Sequence, residues 1–376
     1  MISIMHILYS FDVGGLETGI ANLINHMDAE KFSHSICVFS KRTSALEKVE
    51  NKNIKLHIIK RNFRNDPVSI LRLASLLRKN RPDIVRTYNW GGMDGVIAAR
   101  LSGIRAIVHS EHGFDIEEIY KKKRRRILLR RAFLRQCIRV IAVSHVLKTW
   151  LINDVKIPED KVVFIPNGYD TKLFFPGKDR DKRRDLGIKD GEIVIATVGA
   201  LKKLKNQRCL IGAFAGLSKA YHNLRLMLVG EGPLRADLEN FATGEGIREK
   251  VIFTGEVAQT ASLYRTMDIF VLPSLCENAP NVLLEAMASG LPIVASDVGD
   301  VRHMLEAGKG GIIVKPGDLQ EIEEGIKYFL ENPSQAQEKG NFACTKAKES
   351  FDIKKIKLIY ESLYASLLIS LKQGDV

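Results

Sequence analysis

Short β-rich apolar runs alternate with longer helical patterns along this chain, and they do so in two separate series. The first series is ISIMHILYS (2–10), HSICVFS (34–40), KLHII (55–59), DIVRTY (83–88), AIVHSEH (106–112) and RVIAVS (139–144). The second is EIVIATVG (192–199), LRLMLVG (224–230), KVIFTG (250–255), DIFVLPS (268–274), PIVAS (292–296) and GGIIV (310–314). Helical patterns such as SILRLASLLRKN (69–80) separate most of them. Apolar runs bounded by Gly and Pro and alternating with helices build parallel sheets from βαβ units. Two such series predict an α/β chain of two doubly wound, Rossmann-like domains. At 376 residues the chain exceeds one ordinary core, which agrees.

The boundary shows as a loss of periodicity. Residues 165–192 gain Pro, Gly and charge, so the linker is placed at about 168–190. The expected domains are 1–170 and 171–356, with a C-terminal helix over about 357–376 that can pack back on the first. Ligands of open α/β sheets bind outside the carboxyl ends of the strands. Two facing sheets would therefore define a cleft, and motifs at strand ends carry the most weight.

Charge is distributed unevenly. Residues 1–176 hold 30 Lys+Arg against 17 Asp+Glu, whereas residues 177–376 hold 27 of each, so the whole +13 excess lies in the first half. A one-sided positive field favours an anionic partner, and a merely soluble basic surface is the plain alternative. Residues 121–126 are Lys-Lys-Lys-Arg-Arg-Arg, followed by Arg130, Arg131 and Arg135, with Ile127, Leu128, Leu129, Phe133, Leu134 and Ile138 interleaved. A basic helix with an apolar stripe suits an anionic membrane surface, although a soluble helix with one core-facing stripe reads the same way. Nucleic acid is the weaker reading, because no recognised motif accompanies the charge. The five cysteines are scattered without metal-site spacing, which fits a reducing cytosol. No signal peptide or membrane-spanning run is read, so the expected location is cytoplasmic, peripheral on the inner face of the cell membrane.

Four strand-end motifs stand out. After the first strand, Gly14 and Gly15 allow a tight turn and close backbone approach, and a helix starting there would aim N–H groups at an anion. The spacing is not G-x-G-x-x-G, and a simple strand-to-helix turn explains the pair equally well. His112 ends a strand in SEHGFD, where it can bond a sugar hydroxyl or move a proton, although a lone His is commonly structural. Lys202, Lys203 and Lys205 crowd the loop after Gly199, with Lys205 nearest the next helix, and Lys suits phosphate oxygens as a point charge. The fourth motif is the most informative: ENAPNVLLEAMASGLP carries Glu277 and Glu285 on either side of a predicted helix start, with Pro280 and Asn281 in its first turn. N–H groups near Asn281, Val282 and Leu283 can receive a diphosphate, and each carboxylate can grip hydroxyls. A carboxylate inside an apolar helix also demands a partner.

Taken in order, GGLET, EHG, Val143-Ser144, IPNGYD (165–170), VGALKKLKNQ, LVGEGP (228–233) and ENAPNVLLEAMASGLP resemble family 4 of the retaining GT-B glycosyltransferases over nearly the full chain. FDVGGLETGIANLINHM most resembles bacterial sugar transferases of exopolysaccharide clusters. The resemblance implies that Glu277 contacts the donor sugar and Glu285 the ribose. Backbone groups of Asn281, Val282 and Leu283 would receive the diphosphate, and Lys205 would neutralise it as it leaves. Gly14 and Gly15 would approach the phosphates, His112 would lie near the sugar, and Glu256–Val257 would meet the nucleobase. One departure matters. The family usually carries Arg directly after the glycine that ends the first C-domain strand, and here Ala200 stands there. Lys202 or Lys203 could substitute, without the planar fork of Arg.

The implied reaction transfers a sugar from a nucleoside diphosphate sugar to an acceptor hydroxyl on the same face. The reading expects no cofactor and no metal site. The only D-x-D is Asp179-Arg180-Asp181, and it sits in the charged linker. A lipid-linked acceptor at an anionic membrane, engaged through residues 121–135, is the expected partner besides the donor. Two other readings stay open: a sugar-nucleotide epimerase or phosphorylase on the same fold, and a non-catalytic binding protein, which Ala200 alone favours.

Overall fold

The computed structural model describes residues 1–51, 53–61, 66–113 and 124–373. Its contacts divide the chain into two compact units, Met1–Gly168 with Ile353–Val376, and Tyr169–Asp352. Each unit is built on one all-parallel sheet with helices on its faces.

The first unit holds β1 (Ile2–Leu8), β2 (Phe32–Val38), β3 (Lys55–Ile58), β4 (Ile84–Tyr88), β5 (Ile107–Glu111), β6 (Arg139–Ala142) and β7 (Val162–Phe164), in the order β3-β2-β1-β4-β5-β6-β7. β7 is three residues long beside a charged turn, and the apolar-run pattern passes over it. The second unit holds β8 (Ile193–Val198), β9 (Leu224–Val229), β10 (Val251–Gly255), β11 (Ile269–Leu272), β12 (Ile293–Ser296) and β13 (Ile312–Val314), in the order β10-β9-β8-β11-β12-β13. In both sheets the order reverses beside the first strand, between β1 and β4 and between β8 and β11. These are the switch points at which doubly wound sheets bind ligands.

Two helices matter in the first unit. α1 (Gly15–His26) follows β1, and α2 (Arg124–Leu134) follows β5. The second unit has α3 (Gln207–Leu217) after β8 and α4 (Asn281–Ala288) after β11. The last helix, α5 (Ile353–Gln373), returns to the first unit. Its buried residues Ile353, Ile356, Tyr360, Tyr364 and Leu367 recur at three- and four-residue spacing, on one helical face. They pack on Ile4, Leu23, Phe32, Ile84 and Val108. Burial of that face contributes on the order of 10 kcal/mol before entropy is counted.

Candidate active site

At the switch point of the second sheet, β8 runs into Gly199 and a 3-10 turn, Lys203–Lys205, before α3 begins. β11 runs into Ser274 and the loop that leads to α4. The two loops are tied together: Leu275 N–H donates to Leu204 O at 2.8 Å. This tie brings the Lys205 ammonium onto Glu277 Oε1 as an ion pair. Ser274 Oγ donates to the same oxygen at 2.8 Å. The Glu277 side chain is only 11% exposed and that of Lys205 30%, so the largely desolvated carboxylate is held by a cation and a hydroxyl.

Two glycines make the close packing possible. Gly230 has φ 136°, and a Cβ on it would stand 2.3 Å from Gly199 O. Gly299 has φ 55°, and a Cβ there would stand 2.5 Å from both Glu277 O and Asn278 O. Asp300 N–H donates to Asn278 O at 2.8 Å, so the Glu277 backbone lies directly on this turn.

α4 starts at Asn281, one residue later than the expected first turn. Pro280 is its extended N-cap, and no side chain caps the helix. The fixed φ and missing N–H of proline suit this place equally well. Asn281 and Val282 are partly buried, whereas Leu283 packs in the core and its N–H donates to Pro280 O at 3.0 Å. Glu285 has the partner that its helix demands: Tyr264 O–H donates to Glu285 Oε2 at 2.7 Å and reaches Val282 O at 3.3 Å. Burial, and then the Glu285 charge, push the Tyr264 hydroxyl well above its ordinary pKa, so it stays a donor. Glu256 and Val257 follow Gly255 at the end of β10. Glu256 is exposed, and Val257 lies against the core. Lys202 and Lys203 are exposed, and Ala200 O accepts from the Gln207 amide at 3.1 Å. The aspartates of D-x-D have local uses: Asp179 caps the helix Arg180–Asp185 by accepting from Lys182 N–H at 2.9 Å, and Asp181 pairs with Arg184.

In the first unit, Gly14 is the extended N-cap of α1, and Gly15 is its first residue. The Glu17 carboxylate lies over this helix start, 2.6 Å from where a Gly14 Cβ would stand. Burial raises the Glu17 pKa. His112 follows β5. Its N–H donates to Asn89 Oδ1 at 2.7 Å, and its buried Nε2 has no hydrogen-bond partner among the described residues. Burial, then Arg86 and His109, pull its pKa down to about 3, so the imidazole is neutral. Such a ring can exchange hydrogen bonds with a hydroxyl. His112, Arg86, Asn167, Tyr360 and Gly19 border a small cavity in this unit.

α2 divides its basic residues between two jobs. Arg124, Arg125, Leu128 and Leu129 are exposed, whereas Arg130 and Leu134 are buried. The apolar stripe is therefore split, with Leu134 and Ile138 in the core and the two leucines outside. Residues 121–123 lie outside the described residues. Among the described residues, no helix is long and apolar enough to cross a membrane.

Sequence reasoning passed over Ser274, Tyr264, Gly299 and Asn89. Ser274 was visible as a polar residue three before Glu277. Tyr264 lies 21 residues before Glu285 with no local pattern linking them.

The comparisons with known proteins agree with this architecture. The family pattern described as Glycosyltransferase Family 4 matches residues 13–173, and that described as Glycosyl transferases group 1 matches residues 178–344. EpsF of Bacillus subtilis (strain 168) is 29% identical over 315 residues, 82% of each chain. The Escherichia coli UDP-Gal:alpha-D-GlcNAc-diphosphoundecaprenol alpha-1,3-galactosyltransferase is 31% identical over 265 residues, 68% of each. The crystal structure of Anabaena HepE in complex with UDP and glucose shares the fold, with a TM-score of 0.84 at 21% identity over 96% of this chain and 99% of that one. Two Rossmann-like domains of this kind make up the GT-B architecture. The chain belongs to glycosyltransferase family 4, the glycosyl transferases group 1.

Proposed function

We propose that this glycosyltransferase moves a hexosyl group from a nucleoside diphosphate sugar to an acceptor hydroxyl with retention of configuration, in the assembly of a bacterial polysaccharide or glycolipid. The observation that carries the reading is the Lys205–Glu277 pair, braced by Ser274 at the switch point and followed by the start of α4. On this reading Glu277 grips donor-sugar hydroxyls. The backbone at Asn281 and Val282 and the α4 dipole receive the diphosphate, the Leu283 N–H being engaged by Pro280 O, and Lys205 stabilises the negative charge that builds as it leaves. Glu285, held by Tyr264, takes the ribose, and Glu256–Val257 meet the base. In the first unit, His112 and the Gly14–Gly15 turn are the residues proposed to handle the donor. The UDP and glucose in the HepE complex and the UDP-Gal in the E. coli relative's name support the donor class.

The acceptor proposed is lipid-linked, as the diphosphoundecaprenol in that name suggests. The exposed Arg124, Arg125, Leu128 and Leu129 would hold the enzyme on an anionic surface, each arginine contributing about 1 kcal/mol.

The test is incubation with labelled UDP- and GDP-sugars and membrane extract, with and without EDTA. The expected result is transfer that survives EDTA and falls by about 100-fold or more in Glu277→Ala, with folding intact. Wild-type activity in that variant sinks the donor-site reading. Co-sedimentation with anionic vesicles tests the surface: Arg124→Gln/Arg125→Gln should bind less at low salt, and equal binding removes the membrane reading.

A further inference from the structure

The first unit contains a strained residue that the donor-site reading does not use. Asn89 has φ 47° and ψ −171°, a backbone conformation that side-chain-bearing residues rarely adopt. Strain of this kind persists where the surrounding structure over-determines it, and it clusters at functional positions. Asn89 is fixed from both sides. Its N–H donates to Ser110 O at 2.9 Å, and its Oδ1 accepts from His112 N–H at 2.7 Å. The strained residue is therefore the backbone clamp of the histidine.

Both flanks of that clamp are gripped by α2. Asn89 is followed by Trp90, whose ring lies under the Arg126 guanidinium at 4.5 Å and the Arg130 guanidinium at 5.3 Å. His112 is preceded by Glu111, whose carboxylate pairs with Arg130 and accepts from His109 Nε2–H at 2.9 Å. Glu111 and Arg130 are 0% and 1% exposed. Burial alone would raise the Glu111 pKa, and Arg130 with His109 hold it below its ordinary value, so the pair is ionic. Arg130 also lies 5.1 Å from the ring of Trp150. One buried arginine thus fixes the neighbour of each clamp residue, at a cost in desolvation that a lysine or a methionine would meet quite differently.

We propose that Asn89 and the Arg130–Glu111 pair are positioning residues for His112, holding its backbone so that its ring is presented for the proposed sugar contact. This rests on the reading of His112 given above.

The experiment is a double-mutant cycle in turnover and donor KM, using Asn89→Gly and Arg130→Met, each in the wild-type and His112→Ala backgrounds. Asn89→Gly is the cleaner probe. Glycine tolerates the backbone conformation while losing the Oδ1 acceptor, so melting temperature should hold or rise as turnover falls. Loss of a merely structural contact would lower both. The chain has two tryptophans, both beside Arg130, so Trp emission reports whether Arg130→Met loosens this clamp. Each variant should lower kcat by about tenfold or more with donor KM changed less than about threefold, and Arg130→Lys should recover part of the loss. In the His112→Ala background neither should cost more than about twofold further, because residues acting through one group are not additive. Equal losses in both backgrounds, or unchanged kcat in Asn89→Gly, overturn the proposal and leave the role of His112 standing. If His112→Ala itself turns over normally, the reading of His112 fails and the proposal falls with it. Should Arg130→Met not fold, Asn89→Gly decides alone.

Discussion

Gly299→Ala tests whether the Glu277 carboxylate must be placed to within an ångström. Gly299 is assigned no donor contact, yet its alanine Cβ would stand 2.5 Å from both Glu277 O and Asn278 O. Such approaches essentially never fall below 3.0 Å, and ordinary contact begins at 3.4 Å, so the two carbonyls must retreat by about 0.5–0.9 Å. The neighbours are backbone atoms, which cannot rotate away as a side-chain tip would. Alanine at φ 55° adds about 1 kcal/mol of backbone strain, and the overpacking adds about 1–3 kcal/mol. A total of about 2–4 kcal/mol in a unit the size of Tyr169–Asp352 should lower its melting temperature by on the order of 5–10 °C. The functional effect follows from geometry. A displacement near 1 Å at a substrate-positioning group costs up to roughly 100-fold, so turnover should fall by about 10- to 100-fold in protein that is still folded. Calorimetry and steady-state transfer, measured on the same preparation below its melting point, read both numbers. Turnover within about threefold of wild type, alongside the expected drop in melting temperature, would refute the claim that this turn sets the position of Glu277.

Two further outcomes are expected. Tyr264→Phe removes the hydroxyl that bonds Glu285 Oε2 and Val282 O, so donor KM should rise about tenfold or more with kcat nearly unchanged, matching one lost hydrogen bond to a charged group of about 1.5–3 kcal/mol. A fall in kcat at constant KM would argue that Glu285 acts in the transition state instead. Acid should destabilise the first unit, because burial lowers the pKa of both fully buried histidines, His6 and His109, below their ordinary 6.5. Below about pH 6.5 the unfolded chain takes up protons that the folded chain refuses, so each contributes a loss of up to about 1.4 kcal/mol per pH unit. His34, pulled down to about 4 by burial and then by Arg86, acts in the same direction. Melting temperature followed from pH 7.5 to 5 should fall, and a flat profile would show that these rings are protonated in the native protein.

The sequence by itself determined the architecture. Alternation of strand and helix periods is a local property, because each apolar run must be buried on its own sheet whatever the rest of the chain does. The strand-end motifs were legible for the same reason: in a doubly wound sheet, position along the strand fixes which residues emerge at its carboxyl end. Glu277, Lys205 and Glu285 could be singled out on that ground, and the matched families agree with the class of enzyme that they suggested. Only the tertiary structure decided their partners. Lys205 meets Glu277 across 72 positions of sequence because a backbone bond from Leu275 to Leu204 joins two loops. Tyr264 reaches Glu285 from another element, and Arg130 turns inward to Glu111 from a helix that reads in sequence as basic with an apolar stripe. In that helix, Arg124 and Arg125 face solvent and Arg130 does not. The helical period could not say which, because one core-facing residue and one exposed one look alike until the neighbouring Trp90, Trp150 and Glu111 are in place. Periodicity reports how a chain meets its own sheet, whereas hydrogen bonds and ion pairs depend on distances between residues far apart in sequence, and folding alone sets those.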